Sequence, residues 1–212
     1  MPSNNGPKYA SDTAHARHTA STRARIVEAA AELMLRDGYV GTSISAIADR
    51  SQVAIQTVYN TVGSKRDVLD AVLDRAASGP RAPRPVPEFL AERGDETTTA
   101  AEFVGMLADW FADAHPRVAP VLRLIHQAAA VDEAVAELEQ ERASRRLANY
   151  GLAARQLGAK PGARDLPQHA VAATIWSLGH PQVFSQLVGV EGWSVPAYRE
   201  WLDAALRAAL VE

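Results

Sequence analysis

The residues best suited to recognition chemistry crowd into one short stretch. Between Ser43 and Asn60 the chain reads SISAIADRSQVAIQTVYN, and Gln56, Thr57, Tyr59 and Asn60 fall within its last five residues. A glutamine carboxamide pairs with both edge atoms of adenine, and a threonine methyl packs on the thymine methyl. This set is built for reading a surface, and nothing in the chain is equally well arranged for catalysis. There is no G-x-S-x-G elbow, no Gly-rich phosphate loop and no H-E-x-x-H. The six histidines lack helical ligand spacing, so neither a metal site nor a cofactor is expected.

The elements that must present these side chains are helices. Ile44, Ile47 and Ala48 recur at the i, i+3, i+4 spacing of one buried face, Ser51-Gln52 breaks the pattern, and Val53 and Val58 resume it. Two short helices joined by a compact turn make a helix-turn-helix, whose second helix enters the major groove. Upstream, Ile26, Ala30, Leu33 and Met34 form an apolar stripe that Gly38 can close in a left-handed conformation. Thr42 is placed to cap the helix beginning at Ser43. Downstream, Ser64-Lys65-Arg66-Asp67 reads as a capping box, followed by the stripe Val68, Leu69, Val72, Leu73 and Ala76.

The run from Arg25 to Leu73 resembles the DNA-binding domain of the tetracycline-repressor (TetR) family. The resemblance rests on Arg25-Ile26 with the alanine-rich helix, Gly38-Tyr39, Thr42-Ser43-Ile44, Ile47-Ala48, Val53, Thr57-Val58-Tyr59, Ser64-Lys65 and Val68-Leu69. The chain departs from the family at Ser51-Gln52, where Ala-Gly is usual, at Ala54, where Ser is usual, and at Val62, where an aromatic is usual. A left-handed residue with a Cβ costs roughly 1–2 kcal/mol, and a lost hydroxyl cap about 1 kcal/mol. Neither departure removes a DNA contact. The resemblance implies that Tyr59 and Lys65 touch phosphates and that Thr42 sits where a helix N-terminus meets the backbone. Asn60 and Thr61 then reach phosphate or base, with Arg50 and Arg66 as weaker candidates.

Composition is compatible with such a protein. A length of 212 residues can bury a real core, and 47% hydrophobic with 22% charged residues is ordinary for a globular chain. The net charge of −3 argues against non-specific coating of nucleic acid. Residues 1–80 carry nine Lys/Arg against eight Asp/Glu, whereas residues 81–212 carry thirteen against seventeen, so the acidic excess lies outside the helix-turn-helix. No apolar run is long enough to span a bilayer and no secretory signal is visible. With zero cysteines, disulfides and thiolate sites are excluded, which fits a cytoplasmic protein.

The expected organisation is all-α: a disordered tail over residues 1–21, a head of three helices plus a linking helix over 22–77, and a helical bundle over 88–212. The proline-rich SGPRAPRPVP, residues 78–87, marks the boundary. In the bundle, one helix over 99–115 is expected to end at Pro116, and another to run over 118–131. Further helices follow over 132–157, 166–179, on to Val188, and from the cap Ser194 to Leu210.

TetR-like bodies hold an inducer pocket, and the resemblance implies one here. Phe103, Met106, Trp110, Tyr150, Trp176 and His180 are candidates for its lining, with Arg123 and His126 for polar contacts; plain core packing is the competing reading. Phe184 is a weaker candidate. The helices over 166–188 and 194–210 are expected to form a homodimer seam, with Ala170, Ala172, Ala173 and Gly179 permitting close approach. The whole implies a regulator of double-stranded DNA at an inverted-repeat operator, released by a small apolar or aromatic effector. An all-α scaffold that retains an unused head is the alternative.

Overall fold

The computed structural model describes residues 8–79 and 86–212. The chain divides into two compact units, residues 1–72 and 73–212. The division falls inside a helix, not at the proline-rich stretch, whose residues 80–85 lie outside the described region. Its C-terminal half belongs to the second unit.

The first unit contains α1 (Lys8–Gly41), α2 (Ile44–Ser51), α3 (Ile55–Thr61) and the start of α4 (Lys65–Ser78). The tail expected over residues 1–21 is helical from Lys8 onward; residues 1–7 lie outside the described region. Ala10, Ala14, Ala16 and Ala20, with no glycine or proline after Pro7, give this segment helix propensity without an apolar stripe. Ile26, Met34, Ile47, Val58, Val68 and Leu69 are fully buried and form the core on which the short helices pack. Gly38 interrupts α1 with φ 78° and ψ 165°, a conformation open to glycine and costly for other residues.

The second unit holds the rest of α4 with α5 (Val86–Asp95), α6 (Ala100–Ala129), α7 (Glu133–Gly158), α8 (Gln168–Leu178), α9 (Pro181–Phe184) and α10 (Val195–Leu210). A π-helical turn, Ser185–Val190, follows α9. The break expected at Pro116 is absent: α6 runs through both Pro116 and Pro120. An interior proline costs about 3 kcal/mol. Here Ala114, His115, Val118, Ala119 and Val121 are buried on both sides of the prolines, so packing holds the helix together.

Helix ends in the body follow side-chain caps. Thr99 Oγ1 accepts from Glu102 N at 3.2 Å while the Glu102 carboxylate accepts from Thr99 N, a closed capping box. Asp132 caps α7 and Ser194 caps α10. The described residues contain no strand; one isolated bridge pairs Ala163 with Val211. No described helix is long and apolar enough to cross a membrane.

Candidate nucleic-acid interface and interior body site

The turn between α2 and α3 lacks its usual glycine, and the structure shows how it closes. Gln52 takes the left-handed conformation itself, φ 55° and ψ 48°. Ser51 is buried and donates its hydroxyl to Ile47 O at 2.6 Å. The Arg25 guanidinium, reaching from α1, donates to the carbonyls of Ser51 and Gln52. A second arginine two residues earlier, Arg23, donates from Nη1 to Thr61 O at 3.0 Å at the far end of α3. The turn that leads into the seven-residue helix and the helix's last residue are therefore both held from α1. This matters because α3 begins at Ala54 with no side-chain cap and is too short to be stable alone.

On α3, Val58 is buried, which turns Gln56, Tyr59 and Asn60 outward. Gln56 Nε2 donates to Asn60 Oδ1 at 2.9 Å, locking the two carboxamides one turn apart. The pair leaves an acceptor on Gln56 and a donor on Asn60 side by side. Tyr59 is 48% exposed, and Thr57 and Thr61 are half-buried beside it. Lys65 holds its ammonium 4.3 Å from the centroid of the buried Tyr39 ring. Directly before it, Ser64 caps α4: its backbone N–H and hydroxyl both donate to Asp67 Oδ2, at 2.9 and 2.7 Å. Those bonds, the Ser64 hydroxyl foremost, hold the Asp67 carboxyl below its ordinary pKa.

One expectation in the head is corrected. Thr42 does not cap α2; Ser43 does, accepting from Ala46 N at 3.0 Å. Thr42 is 2% exposed and donates its hydroxyl to Gly38 O at 2.8 Å, closing the end of α1. The side chain is spent inside the head. Of the weaker candidates, Arg50 is paired with Glu32 at 2.7 Å and Arg66 with Asp67 at 3.4 Å.

In the body, Phe103 and Tyr150 are buried, and Met106, Trp110 and Trp176 pack partly buried against the same core. Arg123 and His126 are not among them. Val121, Leu124, Ile125 and Ala128 are the buried positions of that part of α6, which leaves Arg123 and His126 on the opposite, exposed face. His126 Nδ1 pairs with Glu139 Oε1 at 2.9 Å at the surface. Gly179 is also corrected as a seam residue. It faces inward, where a Cβ would stand 2.5 Å from Phe111 Cζ.

The interior polar groups are others. His115 Nδ1 lies 3.0 Å from the Tyr198 hydroxyl, both side chains buried among Phe111, Phe184 and Tyr150. Burial, helped by the nearby His180 and Arg146, drives the His115 pKa down to about 3, so the ring is neutral. Burial pushes the Tyr150 phenol up to about 12 and raises Tyr198 as well. Half-buried His180 is lowered by burial and by Arg146; its Nδ1 accepts from Gln182 N and caps α9. Arg146, on α7, lies 5.6 Å from the Trp176 ring, and burial lowers its own pKa. The sequence held a signal for both missed residues: His115 is four after Phe111 and Arg146 four before Tyr150, each on a buried stripe.

Outside the core, α7 and α8 border an open groove of about 720 Å³ lined mostly by apolar and small residues, among them Leu147, Gly151, Ala172, Ala173 and Trp176.

Comparison with known proteins places these features. Residues 26–72 match the family model described as bacterial regulatory proteins, tetR family. No curated protein sequence matches the chain. Among solved structures, the chain is similar to NalD of Pseudomonas aeruginosa, the secondary repressor of the MexAB-OprM multidrug efflux pump. The TM-score is 0.71 at 20% identity, covering 92% of this chain and 98% of that one. It is similar to FadR of Bacillus subtilis in complex with stearoyl-CoA, with a TM-score of 0.62 at 18% identity, covering 86% and 96%. It is also similar to a protein of Saccharomonospora viridis in complex with choline, with a TM-score of 0.66 at 20% identity, covering 91% and 99%. At these identities the likeness carries the fold.

Proposed function

Starting from a chain that belongs, through its head, to the tetR family of bacterial regulatory proteins, we propose a repressor released from its operator by a small molecule bound in the body. The observation that carries the DNA half of this reading is the locked Gln56–Asn60 pair on a helix clamped by Arg23 and Arg25. One acceptor beside one donor complements the N6–H donor and N7 acceptor of adenine in the major groove. Thr57 adds a methyl group for thymine, while Tyr59, Thr61 and Lys65 flank the pair for phosphate contacts. Thr42 is left out of the contact set because its hydroxyl is committed to Gly38. The scaffold alternative drew on the departures at the turn, and Arg25 supplies the restraint that the missing glycine would have given.

One head reads a short half-site, so an inverted-repeat operator calls for a two-fold protein. Helices α8 and α10 form its seam, and exposed Ala173 and Leu147 beside the groove offer apolar surface for it. An effector acts by population shift, favouring a dimer whose heads miss adjacent major grooves roughly 34–36 Å apart. The C-terminal half of α4 carries the change: Asp74 pairs with Arg142 of α7 at 2.6 Å, and Arg117 of α6 donates to Ala76 O at 3.1 Å. That NalD is a repressor and that two proteins of this fold hold stearoyl-CoA or choline supports the reading. Binding DNA places its work in the cytoplasm.

The test is selection of DNA fragments by the purified protein at near-physiological and raised salt. The expected product is one inverted repeat whose affinity falls as salt rises. Lys65→Ala should lower the slope of log affinity against log salt by about one, and Tyr59→Ala should weaken all sites evenly. Recovery of no fragment above background refutes the reading.

A further inference from the structure

We propose that Ile55 reads a thymine methyl group in the major groove, beside the adenine faced by the Gln56–Asn60 pair. The inference deepens the DNA-binding half of the repressor reading and rests on it. Ile55 is the first residue of α3, at the end from which a recognition helix reaches base edges. It stands three residues before the fully buried Val58, a spacing that ordinarily shares one buried face. The structure leaves it 47% exposed instead. Ala54, Ile55 and Gln56 are exposed in succession, so the isoleucine adjoins the adenine-facing carboxamide. Ala54 has no hydroxyl with which to cap α3, and it puts a second methyl next to Ile55 in the sequence.

The chemistry of the groove selects the target. Of the exposed residues of α3, Gln56, Tyr59 and Asn60 each carry a hydroxyl or a carboxamide, whereas Ile55 carries no polar side-chain atom. Against a phosphate or a base-edge donor it would displace water and give no hydrogen bond in return. The major groove of unmodified DNA offers one apolar group, the C5 methyl of thymine. Packing there covers isoleucine surface that the folded head leaves wet, and cytosine, which lacks the methyl, gives no such gain. At about 100° per residue, Ile55 and Thr57 fall on opposite sides of the Gln56–Asn60 row. Each half-site should therefore hold two methyl-sensitive thymines, one answering to each of these residues.

The experiment takes the inverted repeat recovered by selection and replaces its thymines, one symmetric pair at a time, by deoxyuridine, which pairs alike and lacks only the methyl. Affinity of the full-length protein is measured by fluorescence anisotropy at one fixed salt concentration. Losing about one methyl of buried surface predicts a weakening of roughly fourfold per half-site, or roughly fifteenfold for a symmetric pair. In Ile55→Ala that ratio should collapse towards one at one thymine position and persist at the position answering to Thr57. Ile55→Val should keep most of it, and Thr57→Ser should show the opposite pattern to Ile55→Ala. An isoleucine that only supported α3 would lower the affinity for thymine and deoxyuridine DNA alike and leave the ratio intact, and that result overturns the proposal. So does an operator with no methyl-sensitive thymine, or one whose methyl sensitivity survives at every position in Ile55→Ala. Each of these leaves the repressor reading standing. An Ile55-dependent thymine in an operator that no body ligand releases would break the repressor reading and leave this one. Recovery of no fragment at all removes both.

Discussion

The head and the body solve opposite problems with the same kind of helix. In the head, the polar groups that matter are outside, and short helices are fixed by carbonyl contacts from Arg23 and Arg25. In the body, the polar groups that matter are inside, and long helices are fixed by aromatic packing around His115 and Tyr198. The head tolerates a missing turn glycine and a missing cap because one long neighbouring helix compensates for both. The body tolerates two prolines in α6 because apolar burial continues on either side of them. Local defects are thus repaired by hydrogen bonds in one unit and by packing in the other.

If packing holds the body, Phe111→Ala should cost about 3–5 kcal/mol. Phe111 is fully buried and touches Trp110, His115 and Tyr150, with Gly179 closed against it. Urea unfolding would register the loss; a loss near zero would mean that the core is not shared in this way.

The hydrogen-bonded restraint of the head should be cheaper to break. Arg25→Ala is expected to lose about 1–3 kcal/mol, the worth of charge-assisted bonds to two carbonyls, and to weaken operator binding with it. Adding Gln52→Gly to that variant should return roughly 1–2 kcal/mol, since glycine takes the left-handed turn without the Cβ penalty. If the glycine gives no recovery, Arg25 is not standing in for it.

Acid should separate the two units next. The unfolded His115 imidazole takes a proton near pH 6.5, but the folded one resists until about pH 3. Protons therefore favour the unfolded chain between those values, and stability present above pH 6.5 is lost as pH falls. The loss approaches about 1.4 kcal/mol for each pH unit in that window. His115→Gln, neutral throughout, should flatten that part of the stability profile. An unchanged slope would show that another group governs acid unfolding.

The head was the more legible of the two. The spacing of Ile44, Ile47, Ala48, Val53 and Val58 located α2 and α3 because a half-buried helix writes its buried face into every third and fourth residue. Residues outside that stripe, Gln56, Tyr59 and Asn60, had to face outward. The stripe could not say that Thr42 would turn its hydroxyl back to Gly38, or that Ala10 to Ala20 would extend α1 without an apolar face.

In the body the same rule found the helices and missed the interior. Arg123 and His126 had suitable chemistry at suitable spacing but fell on the outer face of α6. His115, Arg146 and Tyr198 come from three helices far apart in sequence, and no local pattern joins them. The fold class, the helix-turn-helix and most of the capping were determined by the sequence itself, because propensity, apolar period and cap chemistry act over a few neighbouring residues. Which polar side chains became buried and which proline failed to break its helix were decided by the tertiary structure. Desolvation and packing depend on what the rest of the chain brings alongside.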